Sequence, residues 1–157
     1  MNGDIGDRHI ILFERINMIR LYPIVLIFIG LFLFGCASTA PLPETLNIVP
    51  PATDVAPDIK VFSGIWQGRF YNGTDTALVV EKIDNKKAEI IYSLGNVAGW
   101  YQYMKVEVIP GPALHAVASN GDTLTYTIKN DNELYIVTEE KTTGAKFKGL
   151  LRRSKRK

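Results

Sequence analysis

Turn signals recur at short intervals along the C-terminal two-thirds of this 157-residue chain. An Asn-Gly pair supplies the positive φ angles that a tight hairpin needs, so residues 72–73 and 120–121 are the strongest turn predictions. Seven clusters of turn residues occur after residue 60: Asn72-Gly73-Thr74-Asp75, Asp84-Asn85-Lys86, Gly95-Asn96, Pro110-Gly111-Pro112, Asn120-Gly121-Asp122, Asn130-Asp131-Asn132 and Thr143-Gly144.

These seven turns divide the region into eight short β-prone runs, none of which shows convincing helical periodicity. Connections of two to six residues force sequential strands to pair antiparallel as a meander. The predicted strands are 61–71, 76–83, 87–94, 101–109, 113–119, 122–129, 132–139 and 145–153.

Side-chain alternation predicts a sheet with one dry face and one wet face. In the sixth run, Leu124, Tyr126 and Ile128 alternate with threonines, as a half-buried antiparallel strand requires. Closing eight such strands into a barrel removes both exposed sheet edges. We therefore predict an all-β fold, a single eight-stranded antiparallel up-and-down barrel over 59–153, with a β-sandwich as the alternative.

The first and last predicted strands carry a pattern that resembles the calycin superfamily of lipocalins, fatty-acid-binding proteins and avidins. The pattern is Gly64-Ile65-Trp66 on the first strand and Arg153, in the inward phase, on the last. The resemblance implies that the Trp66 ring plugs one end of the barrel and that Arg153 packs across it. The other interpretation is that Trp66 is an ordinary core aromatic and Arg153 a solvated tail residue.

An uncharged run, Leu21–Gly35, precedes the single cysteine of the chain, Cys36. Its 15 residues are fewer than the roughly 20 of a spanning helix and match the apolar region of a signal peptide. The motif Leu33-Phe34-Gly35-Cys36 resembles a bacterial lipobox. That resemblance implies a signal peptide over 1–35, cleavage before Cys36 and attachment of diacylglycerol to its thiol. The alternative is a buried core cysteine after an ordinary membrane anchor, or a buried helix.

The charges before the apolar run suggest where translation begins, and the residue after the cysteine suggests the membrane to which the protein is sorted. Acidic residues cancel the basic ones over residues 1–17, whereas a start at Met18 places only Arg20 before the apolar run. We therefore predict translation from Met18. Ala37 follows the cysteine, which resembles the outer-membrane sorting pattern of lipoproteins. We expect a protein anchored in the cell envelope, with the domain facing the periplasm.

The stretch after the cysteine is rich in proline. Five of the eight prolines of the chain lie within 36–58, where they remove backbone donors and oppose regular structure. We predict a flexible tether over 36–58, between the lipid and the barrel.

Few residues offer catalytic chemistry. His115, the only histidine after the leader, is predicted on the wet face, and no carboxylate pair stands out. We therefore predict a non-enzymatic protein with no cofactor and no metal site. The glycine-punctuated segment 95–103 offers three candidate ligand or partner contacts, Trp100, Tyr101 and Tyr103.

Positive charge is concentrated at the C-terminus. Residues 37–151 carry 10 basic against 13 acidic side chains, whereas five of the last six residues are basic. This tail over 154–157 and its neighbours is a candidate contact for anionic lipid or lipopolysaccharide, or a solubilising segment; no nucleic-acid partner is expected. The basic residues are Arg152, Arg153, Lys155, Arg156 and Lys157.

These features predict a lipid-anchored protein whose small barrel binds an apolar ligand or an envelope partner. The alternative is an inhibitor or assembly factor that acts on an envelope enzyme. The predicted inner face contains enough rings to fill a domain of this size, which favours surface recognition over a deep pocket. These rings are Phe62, Trp66, Phe70, Tyr126 and Phe147.

Overall fold

The computed structural model describes residues 40–97 and 99–154 and shows a closed antiparallel β-barrel. Each strand pairs with the next, and the last pairs with the first, so the predicted up-and-down barrel is confirmed and a sandwich is excluded. The elements are α1 (Pro57–Lys60), β1 (Gly64–Phe70), β2 (Asp75–Ile83), β3 (Lys87–Leu94), β4 (Tyr101–Ile109), β5 (Ala113–Val117), β6 (Thr123–Asn130), β7 (Glu133–Glu139) and β8 (Lys146–Ser154).

The largest difference from the predicted strands is at the start of the barrel. The sequence predicted a tether through residue 58 and a first strand from residue 61, whereas residues 57–60 form the short helix α1 and β1 begins at Gly64. Pro57 occupies the first position of this helix and Asp58 lies in its first turn. Phe62 follows the helix and is fully buried, so it enters the core from a turn and not from a strand.

The barrel closes through a close approach of β1 and β8. A Cβ atom on Gly68 would lie 2.1 Å from the carbonyl oxygen of Leu150, and one on Gly149 would lie 2.7 Å from the carbonyl oxygen of Arg69. Only glycine leaves room for the two backbones at these positions. Inward side chains of all eight strands then form one continuous core.

Residues 40–56, expected to be part of a flexible tether, instead lie along the outside of the barrel. Leu42 and Leu46 pack on an outward-facing apolar cluster of β1, β2 and β3. Proline restricts backbone pairing but does not prevent side-chain packing, so an apolar outer face can still hold the segment. The cluster consists of Ile65, Val79 and Ile91.

Hydrogen bonds fix this segment to the β2–β3 hairpin. The backbone N–H of Val49 donates to the carbonyl oxygen of Glu81 at 2.7 Å, and that of Asn47 donates to the Glu81 carboxylate at 2.7 Å. Asn85 accepts from the N–H of Ala56 and donates to the carbonyl oxygen of Asp54. Over 40–58 the chain is therefore part of the folded domain.

The pairing between β4 and β5 is short. Only three residue pairs join these strands, from Glu107–His115 to Ile109–Ala113, whereas every other neighbouring pair of strands shares at least five. As a result, β4 residues 101–105 have no strand partner on the β5 side within the described residues.

Several predicted features lie outside the described residues. They are the leader, the lipobox with Leu33, Phe34, Gly35 and Cys36, and the tail residues Lys155, Arg156 and Lys157. In the part of the chain that the structure describes, no helix is both long and apolar enough to cross a bilayer.

Candidate functional site

One end of the barrel is sealed by Trp66. This side chain is fully buried, and its indole N–H donates to the carbonyl oxygen of Phe62 at 2.8 Å. The guanidinium carbon of Arg153 lies 4.2 Å from the centre of the indole ring, within the range of a cation–π contact. The structure thus brings Trp66 and Arg153 together at the end of the barrel where β1 begins.

The guanidinium of Arg153 is itself held by three backbone carbonyls. Nε donates to the oxygen of Asp131 at 2.9 Å, Nη1 to that of Ser63 at 2.8 Å, and Nη2 to that of Val61. Burial lowers the pKa of Arg153, and the carboxylate of Asp131 opposes this shift. All three of the guanidinium nitrogens donate, which ties β8 to the segment before β1 and to the β6–β7 turn.

Gly64 sits against this guanidinium. Its φ angle is +116°, and a Cβ atom there would lie 3.2 Å from Nη1 of Arg153. A larger residue would adopt a strained backbone and press on the guanidinium. The structure therefore assigns Gly64 a positioning role at the sealed end.

The opposite end of the barrel is hollow. A cavity of about 460 Å³ opens among the β1–β2, β3–β4, β5–β6 and β7–β8 turns. Its walls combine aromatic and aliphatic side chains with uncharged polar groups and two carboxylates. Its lining includes Phe70, Tyr92, Trp100, Gln102, Ala118, Asp122, Glu140 and Phe147.

Aromatic rings form much of the cavity wall. Trp100 packs edge-on against Tyr92, with the ring centres 5.7 Å apart and the planes at 90°. Phe70 lines the cavity from the end of β1, and Phe147, which is 36% exposed, lines it from the start of β8. These four rings give the cavity an apolar surface that remains partly open to solvent.

Four buried side-chain oxygens of the described residues have no protein partner. Two of them belong to Gln102 and Thr138, which line the cavity. The other two are the hydroxyls of Tyr126, which points inward from β6, and of Ser93. Burial raises the pKa of Tyr126 and also that of Tyr92. The hollow end thus contains hydrogen-bonding groups that the protein leaves unpaired.

The candidate contacts of segment 95–103 divide between two surfaces. Trp100 lines the cavity, whereas Tyr101 and Tyr103 lie on the outside of β4, 39% and 59% exposed. The two tyrosine rings pack edge-on, with centres 5.8 Å apart. The separation follows from strand alternation, because β4 begins at Tyr101 and directs its odd-numbered residues outward.

The remaining candidates are dispersed on the surface. His115 lies half-buried on the outer face of β5, where its Nδ1 is 3.4 Å from the hydroxyl oxygen of Thr125. Arg152 is exposed and lies 3.4 Å from the carboxylate of Glu133. Among residues 40–97 and 99–154, no group of three His, Cys, Asp or Glu side chains is placed to hold a metal ion.

Comparison with known proteins adds one structural likeness. No family model matches this chain, and no curated protein matches its sequence. Among solved structures, the chain is similar to a de novo designed fluorescence-activating β-barrel. The identity is 15%, the TM-score is 0.48, and the match covers 64% of this chain and all of the designed one.

Proposed function

We propose that this protein is a non-enzymatic, lipid-anchored envelope protein whose barrel binds a small apolar ligand at its hollow end. The observation that carries the proposal is the contrast between a cavity of about 460 Å³ at one end and a plugged, fully hydrogen-bonded opposite end. Small-molecule sites are typically clefts of roughly 300–1,000 Å³ lined by apolar and aromatic groups with a few polar ones. This cavity has both properties.

The ligand part of the proposal is tested with the chain from 38 to 157, which contains the whole closed barrel. N-phenyl-1-naphthylamine, a neutral probe that fluoresces in apolar surroundings, should bind saturably at one site. Ala118→Trp places an indole in the cavity lining and should reduce probe affinity by at least tenfold, about 1.4 kcal/mol. Val117→Trp is the matched control, because the adjacent side chain points outward and is 60% exposed.

Two outcomes would contradict ligand binding in the cavity. One is the absence of saturable fluorescence in the original chain. The other is equal loss of affinity in the Ala118→Trp and Val117→Trp variants, since this would separate the probe site from the cavity. Circular dichroism of each variant establishes that the barrel is intact.

The anchoring part of the proposal is supported by the lipobox-like motif and the apolar run before it. Metabolic labelling of the full chain with an alkyne-bearing fatty acid should mark the protein, and Cys36→Ser should abolish the label and release the domain from membranes. Label that persists in the Cys36→Ser variant would overturn lipid attachment at this sulfur.

A second candidate function is recognition of an envelope protein, as an inhibitor or assembly factor would require. It is favoured by the exposed pair Tyr101 and Tyr103, which lie in the part of β4 that has no strand partner on the β5 side among the described residues. Replacing both tyrosines by serine should abolish capture of a specific envelope protein while leaving probe binding unchanged. Capture that survives the double substitution would exclude this surface.

A further inference from the structure

The charged groups of the cavity all have one sign. Two carboxylates, those of Asp122 and Glu140, line it, and no lysine, arginine or histidine does so among the described residues. An anionic ligand such as a fatty acid would bring its carboxylate next to like charges, in surroundings less polar than water. The negative charge at the mouth of the cavity, where Asp122 and Glu140 lie, therefore opposes the binding of anions.

The two carboxylates are held in place by hydrogen bonds. Asp122 accepts from the backbone N–H of Lys141 at 3.0 Å and from the side-chain amide of Asn120 at 2.7 Å. Glu140 accepts from the hydroxyl of Thr143 at 2.6 Å. An ionised carboxylate has about four acceptor positions, so both groups can accept further hydrogen bonds.

Lys141 follows Glu140 in the β7–β8 turn but does not line the cavity. Its side chain packs along Gly121, where an added Cβ atom would lie 2.5 Å from Cδ of the lysine. Its ammonium nitrogen lies 3.4 Å from the same added Cβ position, beside the residue that precedes Asp122, but among the described residues it forms no salt bridge with either carboxylate.

Aromatic rings line the same cavity as these carboxylates. Phe70, Tyr92, Trp100 and Phe147 line the same cavity, and the faces of such rings attract cations. The side-chain oxygen of Gln102, buried and without a partner, can accept a hydrogen bond from an N–H donor. Carboxylates, ring faces and a free acceptor together suit a protonated amine attached to an apolar body.

We propose that the ligand of this barrel is an organic ammonium, with its charged amine at the mouth between Asp122 and Glu140 and its apolar body in the cavity. This inference rests on the proposed function, because it names the class of ligand that the same cavity would take.

The test compares three probes of equal chain length in displacing N-phenyl-1-naphthylamine from residues 38–157. At neutral pH and low salt, decylamine should displace the probe at a concentration about tenfold lower than decanoate, with decanol between them, because charge attraction at the mouth adds to equal apolar contact. Raising the salt concentration should narrow the difference.

Neutral variants of the two carboxylates locate the source of the preference. Asp122→Asn with Glu140→Gln keeps side-chain size and an accepting oxygen for Lys141 and Thr143, and should reduce the preference for decylamine to less than about threefold. The control is Asp84→Asn with Glu133→Gln, which removes two carboxylates that do not line this cavity. This control should retain the tenfold preference.

The outcomes separate the two proposals. If decanoate displaces the probe as well as decylamine does, the inference about an ammonium ligand is wrong, while ligand binding in the cavity stands. If the preference persists in the Asp122→Asn/Glu140→Gln variant, the carboxylates are not its source, and the inference is equally wrong. If the probe does not bind saturably at all, the proposed function itself fails.

Discussion

The two ends of the barrel are built from the same eight strands but differ in how their polar groups are satisfied. At the sealed end, the indole N–H of Trp66 and all three nitrogens of the Arg153 guanidinium donate to backbone carbonyls. At the hollow end, Gln102 and Thr138 line the cavity, and each has a buried side-chain oxygen without a partner. Native proteins pair most buried polar atoms, so these unpaired atoms distinguish the hollow end from the sealed one.

The two ends also differ in how deeply their large aromatic side chains are buried. Phe62 and Trp66 are fully buried in the sealed half, whereas Phe70, Trp100 and Phe147 stand around the cavity of the hollow half. Enclosed side chains contribute most to stability, whereas an accessible cavity leaves that contribution unmade. Enclosed side chains and accessible volume therefore lie at opposite ends of this barrel.

The two tryptophans give the strongest test of this division. Trp66→Ala should lower the free energy of unfolding by about 3–5 kcal/mol, because it empties a fully enclosed site, whereas Trp100→Ala should cost about 1–2 kcal/mol. Urea titrations followed by circular dichroism measure both. If Trp66→Ala does not fold, Trp66→Phe supplies the comparison, and equal losses at the two ends would refute the division.

Two adjacent arginines test the hydrogen bonds of the sealed end. Arg153→Met removes the cation–π contact and three donated hydrogen bonds, and we expect a loss of about 2 kcal/mol in the free energy of unfolding. Arg152→Met on the exposed side of the same strand should cost less than about 0.5 kcal/mol. A similar cost for both variants would mean that Arg153 does not hold this end together.

The strand pattern could be predicted from the sequence because turn chemistry is local. Asn72-Gly73 and Asn120-Gly121 form turns in the structure, and both glycines have positive φ angles. With the turns placed, antiparallel pairing and closure followed from short connections and the need to cover sheet edges. The proximity of Trp66 and Arg153 also followed, since the phase of β8 directs residue 153 inward.

The cavity could not be predicted, because an empty volume is a sum over side chains that come from every strand. The rings on the inner face suggested a filled interior and surface recognition. In the structure Phe70, which is buried, and Phe147, which is partly exposed, line the cavity and leave its volume open. One signal was available: Gln102 and Thr138 occupy inward phases where a solid core would have apolar residues.

The packing of residues 40–56 on the barrel was also missed, although the sequence carries a sign of it. Residues 77–80 of β2 and 90–91 of β3 are apolar at both phases, and continuous apolar runs are typical of strands covered on both faces. The outward members of these runs, Val79 and Ile91, are fully buried. Proline content alone suggested a free tether, and tertiary packing overrode it.

A smaller effect is expected when an unpaired group is removed from the hollow half. Tyr126→Phe deletes a buried hydroxyl that has no partner, so the free energy of unfolding should rise by up to about 1 kcal/mol. Tyr135→Phe on the outer surface, 37% exposed, is the control and should change stability little. A loss of stability in Tyr126→Phe would show that the hydroxyl has a partner, such as a bound water.

The smallest expected effect is a loss of folding stability at low pH, caused by two carboxyl groups in turns of the sealed end. Backbone N–H groups of Lys86 and Lys87 lower the pKa of Asp84 below its ordinary 3.8, and hydrogen bonds from Lys129 and Asn130 lower that of Glu133 below its ordinary 4.5. A carboxyl with a lowered pKa in the folded state contributes stability above its ordinary pKa, and this stability is lost as the pH falls through the lowered value.

Because Asp84 is exposed and Glu133 is only partly buried, the contribution of each carboxyl to stability is small. We therefore expect a gradual decline of stability with pH and not an abrupt loss. Stability measured by urea titration should decline as the pH falls below about 4.5, and Asp84→Asn with Glu133→Gln should flatten that decline. If the Asp84→Asn/Glu133→Gln variant declined as steeply as the original chain, the hydrogen-bonded carboxyls of the sealed end would not be the source of the decline.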